Sequence, residues 1–253
     1  MKLMICGKGG SGKSTVAALV AMEMEKRGKR VLLVDVDESN IGLYRMFGLE
    51  MPQPLMDSFG GKKGFNEKAK AAGIGLGAPP ALFPKAMGIG ELPEACVARK
   101  SNIHILSVGK IHHFGEGCAC PMGRLFRMLF ASLRLAEDDV VIVDTTAGVE
   151  HFGRRLDDQC DRVLCVIDPS FESITLAGKV AGFGKEMNLP VSFVLNKVSP
   201  EIQEQLEQSL DGLAVIGSLP QDPAIFLNTL KGESINAAVP GVDKICDALN
   251  SHL

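Results

Sequence analysis

The segment that most constrains the fold is a glycine-rich stretch near the amino terminus. It reads GKGGSGKST over 7–15, follows the apolar run Leu3–Cys6 and precedes a helical pattern over 16–26. Four of its residues fit the pattern G-x-x-x-x-G-K-[ST], namely Gly7, Gly12, Lys13 and Ser14. Glycines let backbone N–H groups approach phosphate oxygens, and the following helix adds the positive end of its dipole. The stretch therefore predicts a strand, a phosphate-binding loop and a helix, with an ordinary glycine-rich turn as the alternative.

Each position of this loop has a predicted role in binding ATP or ADP together with Mg²⁺. Lys13 is expected to reach the β- and γ-phosphates, and the Ser14 hydroxyl is expected to hold Mg²⁺. The other positions are expected to help cradle the phosphates, and they are Gly9, Gly10, Ser11, Gly12 and Thr15.

Apolar runs alternate with helical patterns along most of the chain. Seven runs are predicted strands: Leu3–Cys6, Arg30–Asp35, Ile103–Val108, Val140–Asp144, Arg162–Asp168, Val191–Asn196 and Ala214–Leu219. Helices are predicted between them: Val16–Lys26, Arg124–Leu135, Ser173–Met187, Glu201–Leu210 and Val242–Leu249. Nearly continuous apolar strands suit a parallel sheet with both faces covered by helices. We therefore expect a doubly wound α/β fold with a mainly parallel, seven-stranded sheet and ligands at the carboxyl ends of its strands.

The length of the chain suits one α/β domain. No linker divides its 253 residues, so we predict a single domain over 1–253 with a Gly/Pro-rich excursion at about 51–100. This excursion either packs against one side of the sheet or forms a flexible surface insertion. The sequence does not decide between these two interpretations.

Charge and hydropathy exclude several classes of partner. The net charge is −3 with no long run of like charge, which gives no footprint for nucleic acid or an anionic membrane. No apolar run reaches the length of a membrane span, and we expect no signal peptide, because the first residues enter a predicted strand. We expect a cytoplasmic protein, in which seven cysteines indicate buried thiols or metal ligands rather than a disulfide framework. Cys6, Cys165 and Cys246 lie in apolar patterns and are predicted core thiols.

Two predicted strands end in acidic residues. The second strand ends VDVD, and Asp35 and Asp37 are two residues apart, so they point to the same face of an extended chain. Asp35 is either a helper near Mg²⁺ or a structural acceptor. Val140–Val143 runs directly into Asp144, an arrangement that places a carboxylate to hold Mg²⁺ near a phosphate loop. The Thr145–Gly148 stretch that follows is a predicted γ-phosphate-sensitive loop.

A third group of strand-end residues is predicted to recognise the base. Asn196 offers both a donor and an acceptor, which suits the edge of adenine. Pro220 and Gln221 follow the next strand and are expected beside the same base. The segment NKVS lacks the aspartate that guanine-binding proteins carry, because Ser199 stands there. The chain is therefore expected to bind ATP rather than GTP.

A cysteine pair lies in the segment HHFGEGCACPMGR over 112–124. Cys118 and Cys120 can bind one metal ion together, but a tetrahedral site needs four ligands. A symmetric dimer would supply a second pair, and four thiolates suit Zn²⁺ or, in a flatter geometry, Ni²⁺. His112 and His113 are weaker candidate ligands. Without further context, a loop with no metal is the alternative.

The segment KGGSGKS carries one lysine at its start and one before its last serine, and it resembles the deviant Walker A motif of the family that contains MinD, ParA and the nitrogenase iron protein. In that family the first lysine, here Lys8, reaches the phosphates of the partner subunit in a nucleotide-sandwich dimer. The second acid of the VDVD pair, here Asp37, positions the attacking water. The resemblance therefore implies an ATPase whose catalytic residues are Lys8, Lys13, Asp37 and Asp144.

Four segments in this order, KGGSGKST, VDVDESNIGL, C-A-C and DTTAGVEH, resemble the CooC-type ATPases that mature carbon monoxide dehydrogenase. The related maturation ATPases of acetyl-CoA synthase are similar enough to be confused with them. The resemblance covers most of the chain and is poor between Met51 and Lys100. It implies a homodimer, induced by ATP or metal, that delivers nickel to a client enzyme.

Two other functions stay open. One is a metal store in which nucleotide sets the oligomeric state without turnover, and the other is a MinD/ParA-like spatial regulator. The carboxyl-terminal KICDALNSHL has little positive charge for a membrane helix. A reductase like the nitrogenase iron protein is not expected, because TTAGVEHFG after Asp144 has no cysteine to bind a bridging cluster.

Overall fold

A computed structural model describes residues 1–73, 82–84, 86–111, 118–149, 159–236 and 238–251. Its strands are β1 Lys2–Gly7, β2 Arg30–Asp35, β3 Val97–Lys100, β4 Ile103–Ser107, β5 Asp139–Asp144, β6 Arg162–Ile167, β7 Val191–Val198 and β8 Val215–Pro220. They form one sheet in the order β3-β4-β2-β5-β1-β6-β7-β8. All neighbouring strands are parallel except β3 and β4, which are antiparallel.

The helices lie between the strands. They are α1 Lys13–Lys26, α2 Leu55–Ser58, α3 Gly61–Ala71, α4 Cys120–Ser132, α5 Phe171–Met187, α6 Pro200–Ser209, α7 Pro223–Lys231 and α8 Val242–Asn250. The start of α5 is capped by the Ser170 side chain, which accepts a hydrogen bond from the Ser173 N–H. Asp222 caps α7 in the same way, and α7 carries proline at its first position, where no N–H is needed. Among the described residues, no helix combines the length and apolar character needed to cross a membrane.

The predicted doubly wound, mainly parallel α/β fold is confirmed, and the predicted strand number is wrong. The described residues form eight strands rather than seven, because the prediction missed β3. This strand has four residues, VARK, of which only Val97 is buried. Short, charged strands are typical of sheet edges, and they lack the apolar run by which the other strands were found.

Apolar side chains cover both faces of the sheet. On one face the core includes buried residues of α1 and α8, with Phe47 and Ile225 beside them. On the other face it includes residues of α3, α4 and α5 together with the described parts of the excursion. Met56 and Phe65 of that excursion are buried against the sheet. The described parts of 51–100 therefore pack on one side of the sheet.

The order of the central strands brings the candidate site together. β5 lies between β1 and β2, and its last residue, Asp144, is in register with Ile5 of β1 and Asp35 of β2. Parallel strands end at the same edge of a sheet, so both carboxylates lie at the edge where the phosphate loop leaves β1.

Candidate functional site

The phosphate loop joins β1 to α1 as predicted, and two of its glycines are sterically required. Gly7 has φ +147° and Gly12 has φ +94°, a region that favours glycine. A Cβ atom on Gly7 would collide with the Val166 carbonyl, and one on Gly12 would collide with the Asn196 amide. The loop can therefore take this path only with glycine at both positions.

The carboxyl end of β7 supports the loop from the side. Asn196 Nδ2 donates to the Ser11 carbonyl at 2.8 Å, and Lys197 Nζ donates to the Gly10 carbonyl at 2.7 Å. The Asn196 amide nitrogen is thus bound to the loop in this structure. Pro220, which is in register with Val198, ends β8 at the same edge, and the exposed Gln221 follows. The predicted contacts of Asn196, Pro220 and Gln221 with adenine stay predictions.

The two predicted Mg²⁺ ligands lie in contact. Ser14 Oγ donates to Asp144 Oδ2 at 2.6 Å, although the two residues are 130 positions apart. Asp144 is fully buried, and its Oδ1 makes no hydrogen bond with any described residue. A hydroxyl beside a buried carboxylate with an unused oxygen is a donor set that suits Mg²⁺. These residues therefore fit the predicted role.

Burial of Asp144 changes its protonation. Desolvation and the nearby Asp35 carboxylate raise the pKa of Asp144, the Ser14 hydrogen bond and the Lys13 charge oppose the rise, and the resulting pKa is about 7. A cation bound at this carboxylate would favour the ionised form. Asp144 therefore gains a proton near neutral pH unless a cation competes for it.

The segment 36–42 after β2, which we call switch I, is held by its own side chains. Asp37 Oδ1 accepts hydrogen bonds from Ser39 N at 2.9 Å, from Ser39 Oγ at 2.6 Å and from Asn40 N at 3.3 Å. Asp37 is half-buried and lines the cavity over the phosphate loop. It is therefore placed beside the phosphate site, and its role with the attacking water stays a prediction.

Asn40 links switch I to the predicted Mg²⁺ ligands. Its Nδ2 donates to Ser14 Oγ at 2.8 Å and lies 3.5 Å from Asp144 Oδ2. The sequence analysis did not single out Asn40. A strand-end segment D-x-D-x-x-N offers no spacing rule that would assign this contact, which depends on the path of the chain after Asp37.

Asp35 is paired with a lysine that the sequence analysis also missed. Lys110 Nζ lies 2.7 Å from Asp35 Oδ2, and the two side chains are 2% and 3% exposed. Burial raises the pKa of Asp35 to about 6, and the Lys110 ammonium limits that rise. Of the two predicted roles for Asp35, this ion pair supports the structural acceptor.

Lys8 forms an ion pair within its own chain. Its Nζ lies 3.3 Å from Asp168 Oδ2, just after β6. Asp168 also accepts hydrogen bonds from Ser170 Oγ at 2.9 Å and from Ser173 Oγ. Burial opposes ionisation of Asp168, but the hydrogen bonds from Ser173 and Ser170 and the Lys8 charge outweigh it and lower its pKa. Asp168 ended a predicted strand, and only the structure brings it to Lys8.

A cavity of about 610 Å³ opens over the phosphate loop. Its walls come from the loop, from switch I and from the segment after β5: Gly9, Gly10, Gly12, Lys13, Ser14, Asp37, Glu38, Ser39, Asn40, Met46, Thr146 and Ala147. Lys13 Nζ donates to the Lys8 carbonyl at 3.2 Å in this wall. Glycine N–H groups, a lysine and a helix amino terminus around one cavity suit a nucleotide's phosphates.

The segment after β5 begins against the phosphate loop. Thr145 Oγ1 donates to the Ile5 carbonyl at 2.8 Å, and Gly148 N donates to the Gly7 carbonyl at 3.1 Å with Gly148 at φ +89°. Residues 150–158 lie outside the described part of the chain. The predicted γ-phosphate-sensitive loop therefore starts in contact with the phosphate loop.

The cysteine pair lies at the start of α4. The structure joins Cys118 and Cys120 as a disulfide with their Cα atoms 5.4 Å apart, which the sequence analysis did not predict. Both residues are exposed, and Cys120 N donates to Cys118 Sγ at 3.1 Å. His112 and His113 lie outside the described residues. No group of three or more His, Cys, Asp or Glu that could hold a metal ion occurs in the described ranges.

The three predicted core thiols are confirmed, since Cys6, Cys165 and Cys246 are buried in the core. Cys96 is buried as well, and Cys160 is half-buried.

Comparison with known proteins assigns the fold and site to a family. The family described as the CobQ/CobB/MinD/ParA nucleotide binding domain matches residues 3–235. The chain belongs to this family. Members of the MinD/ParA class are ATP-binding ATPases, in agreement with the phosphate loop and the Ser14–Asp144 contact.

The individual relatives of this MinD/ParA-family chain carry names that refer to different roles. An uncharacterized ATP-binding protein of Methanocaldococcus jannaschii is 40% identical over 249 residues, covering 98% of this chain and 99% of that protein. The carbon monoxide dehydrogenase accessory protein CooC of Rhodospirillum rubrum is 28% identical over 228 residues, covering 89% of this chain and 85% of CooC. Among solved structures, the septum site-determining protein MinD of Pyrococcus horikoshii with Mg-ADP has a TM-score of 0.70 at 19% identity, covering 99% of this chain and 96% of that chain. That structural similarity establishes the fold alone.

Proposed function

We propose that this protein is an ATP hydrolase that binds nickel and delivers it to the metal cluster of carbon monoxide dehydrogenase or acetyl-CoA synthase. The cargo ion, Ni²⁺ with Zn²⁺ as the alternative, is held by Cys118 and Cys120 from both subunits of a homodimer. The observation that carries the proposal is the exposed cysteine pair at the start of α4, with both sulfur atoms in contact. After reduction, the two thiolates can chelate one soft or borderline ion.

Hydrolysis is assigned to residues around the cavity over the phosphate loop. Lys13 and the loop N–H groups bind the phosphates, and Ser14 and Asp144 are the residues that hold Mg²⁺. Mg²⁺ supplies neutralisation of phosphate charge when bound. Asp37 orients the attacking water, and Lys8 leaves Asp168 to contact the phosphates bound by the partner subunit. A cationic residue supplied in trans in this way is worth about 10³–10⁵ in rate.

The sulfur chemistry and one relative support nickel delivery over spatial regulation. MinD proteins also match, one from Synechocystis at 26% identity over 93% of this chain. The CooC relative is slightly more similar at 28% identity and is named for an accessory role with carbon monoxide dehydrogenase. Two exposed cysteines two residues apart suit a soft or borderline metal ion as cargo.

Metal stoichiometry and oligomeric state, measured together, test the proposal. Reduced wild type is loaded with Ni²⁺ or Zn²⁺, passed through gel filtration with and without ATP, and analysed for bound metal. The Cys118→Ser/Cys120→Ser variant is treated in parallel, and Cys160→Ser serves as a matched control because Cys160 is half-buried and remote in sequence.

We expect about one ion per dimer in wild type and in Cys160→Ser, and none in the double variant. Equal metal content in all three proteins, or none in any of them, would remove the cysteine pair from the function. A protein that binds metal but never hydrolyses ATP, with or without the client, would be a nucleotide-controlled metal store. Binding to vesicles or DNA in the ATP state would favour a spatial regulator.

A further inference from the structure

The segment Val108–Ile111, between β4 and the cysteine pair, contacts both switch I and the first turn of α4. We infer that this segment transmits the position of switch I to Cys118 and Cys120, and that Lys110 is the positioning residue that holds it. The inference rests on the proposed function, which needs metal affinity to depend on the nucleotide. It names the physical connection between the two sites.

The segment contacts the end of β2 and switch I at three backbone positions and through one buried ion pair. Val108 N donates to the Asp35 carbonyl at 3.0 Å, and Ile111 N donates to the Glu38 carbonyl at 3.2 Å. Between them, Lys110 Nζ contacts Asp35 Oδ2 at 2.7 Å and donates to the Asp37 carbonyl at 2.5 Å. The segment therefore follows the backbone from the end of β2 into switch I, with contacts on either side of Asp37.

Burial of the Lys110 ammonium destabilises the folded protein unless the ammonium is paired. Its side chain is 2% exposed, and an ammonium removed from water is tolerated only with a charge partner and hydrogen-bond acceptors. Asp35 and the Asp37 carbonyl meet that need together. If the Asp37 carbonyl moved while Lys110 stayed in place, the buried ammonium would lose one of its two acceptors. Lys110 and its segment are therefore expected to move with switch I.

The connection to the cysteine pair is a close packing contact. A Cβ atom on Gly109 would lie 3.1 Å from Met122 Cγ and 3.1 Å from Met56 Cβ, so the backbone of Gly109 already touches both side chains. Met122 is 6% exposed and lies in the first turn of α4, two residues after Cys120. Met122 N also donates to the Ala119 carbonyl at 2.9 Å, between the two cysteines. Displacement of Gly109 therefore presses on the turn that carries both sulfur atoms.

The test measures how nucleotide changes the reactivity of the two thiols. Reduced protein is alkylated with iodoacetamide, with and without Mg²⁺ and a non-hydrolysable ATP analogue, and the rates at Cys118 and Cys120 are read from their peptides by mass spectrometry. The readout, for each cysteine, is the ratio of the alkylation rate with nucleotide to the rate without nucleotide. A merely structural defect changes the rates with and without nucleotide alike, whereas loss of the connection brings this ratio to one.

Two variants interrupt the connection at different points. Lys110→Met removes the ammonium, and Met122→Ala removes the packing contact while leaving the ion pair and the phosphate loop intact. Met128→Ala is the matched control, since Met128 is a buried methionine further along the same helix. If Lys110→Met does not fold, Met122→Ala still decides the question.

We expect nucleotide to change the wild-type rate by at least about fivefold, the lower end of typical allosteric coupling. The ratio should stay at the wild-type value in Met128→Ala and fall to within about twofold of one in both other variants, with binding of the analogue retained. A full wild-type ratio in Met122→Ala would overturn the inference, as would a ratio of one in wild type. Because no metal is present, a failure here is distinguishable from failure of the proposed nickel binding.

Discussion

Lys8 Nζ lies 3.3 Å from Asp168 Oδ2, so the lysine expected to act on a partner's phosphates is paired within its own chain. Its side chain is 31% exposed, which leaves it accessible to a partner subunit. Formation of an ATP dimer by the proposed mechanism therefore exchanges one partner of Lys8 for another, and the strength of the Lys8–Asp168 pair opposes dimerisation.

Asp168→Asn should strengthen the ATP dimer. The variant removes the charge that holds Lys8, and two such pairs are released for each dimer. A partly exposed ion pair is worth about 0.2–1 kcal/mol, so the dimer dissociation constant should fall by about twofold to thirtyfold. Sedimentation velocity with a non-hydrolysable ATP analogue measures this constant. Asp138→Asn, which breaks the surface pair with Lys29, is the control, and a weaker dimer in Asp168→Asn would refute the competition.

Lys8→Ala should separate nucleotide binding from turnover. Lys13 and the loop N–H groups are unchanged in this variant, so ATP should bind with nearly the wild-type affinity. Hydrolysis should fall by about 10³–10⁵ and the ATP dimer should be lost, because the charge supplied in trans is missing. Phosphate release and gel filtration measure both effects, with the surface variant Lys26→Ala as control. Normal turnover in Lys8→Ala would remove the trans role.

Asn40→Ala should raise the affinity of the ADP-bound protein for Mg²⁺. Asn40 Nδ2 donates to Ser14 Oγ at 2.8 Å, and that oxygen is a predicted Mg²⁺ ligand. One such hydrogen bond is worth about 0.5–1.5 kcal/mol, so half-saturation should occur at about twofold to tenfold lower Mg²⁺. Isothermal titration calorimetry measures the Mg²⁺ affinity in the presence of ADP, and Asn228→Ala, at a residue outside the site, is the control. Weaker Mg²⁺ binding would mean that Asn40 helps to hold the ion.

The raised pKa of Asp144 predicts how stability depends on pH without Mg²⁺. In the folded protein this pKa is about 7, above the ordinary value of 3.8, so the folded state binds more protons between these values. The contribution of Asp144 to the free energy of unfolding is therefore present at low pH and is lost as pH rises through about 7. Asp144→Asn, which carries no charge, should gain stability relative to wild type from pH 5 to pH 8. Each unit of pKa elevation corresponds to about 1.4 kcal/mol.

Urea denaturation at several pH values in EDTA measures that difference, with Asp211→Asn as an exposed control. A difference between wild type and Asp144→Asn that stays constant with pH would contradict the raised pKa. With Mg²⁺ and ADP present the trend should weaken, because the cation favours the ionised carboxylate.

The sequence was informative where local pattern decides structure. The phosphate loop follows from glycines and a lysine at fixed spacing, and the apolar runs of β1, β2 and β5 place Asp35 and Asp144 at one edge. The contact of Asp144 with Ser14 of the loop follows once the strands are parallel neighbours. The edge strand β3 was missed because four residues with two exposed charges carry no apolar run.

The site contacts that the sequence missed depend on tertiary structure. Lys110 and Asp35 are 75 positions apart, and nothing near Lys110 in the sequence indicates that its ammonium is buried. Lys8 meets Asp168 only because β6 lies beside β1. The contact between Met122 and Gly109 needs the start of α4 to lie beside the segment that follows β4. Spacing rules describe single segments, so they find the groups that bind phosphate but not the residues that connect them.

Nickel affinity in two nucleotide states is the most direct measurement of the proposed coupling. Reduced wild type is titrated with Ni²⁺ against a competing chelator, once with Mg²⁺ and ADP and once with Mg²⁺ and a non-hydrolysable ATP analogue. The dissociation constants for Ni²⁺ should differ by about 5–150-fold, the usual range for coupled sites. Equal constants would contradict ATP-driven delivery, because hydrolysis would then have no metal affinity to change.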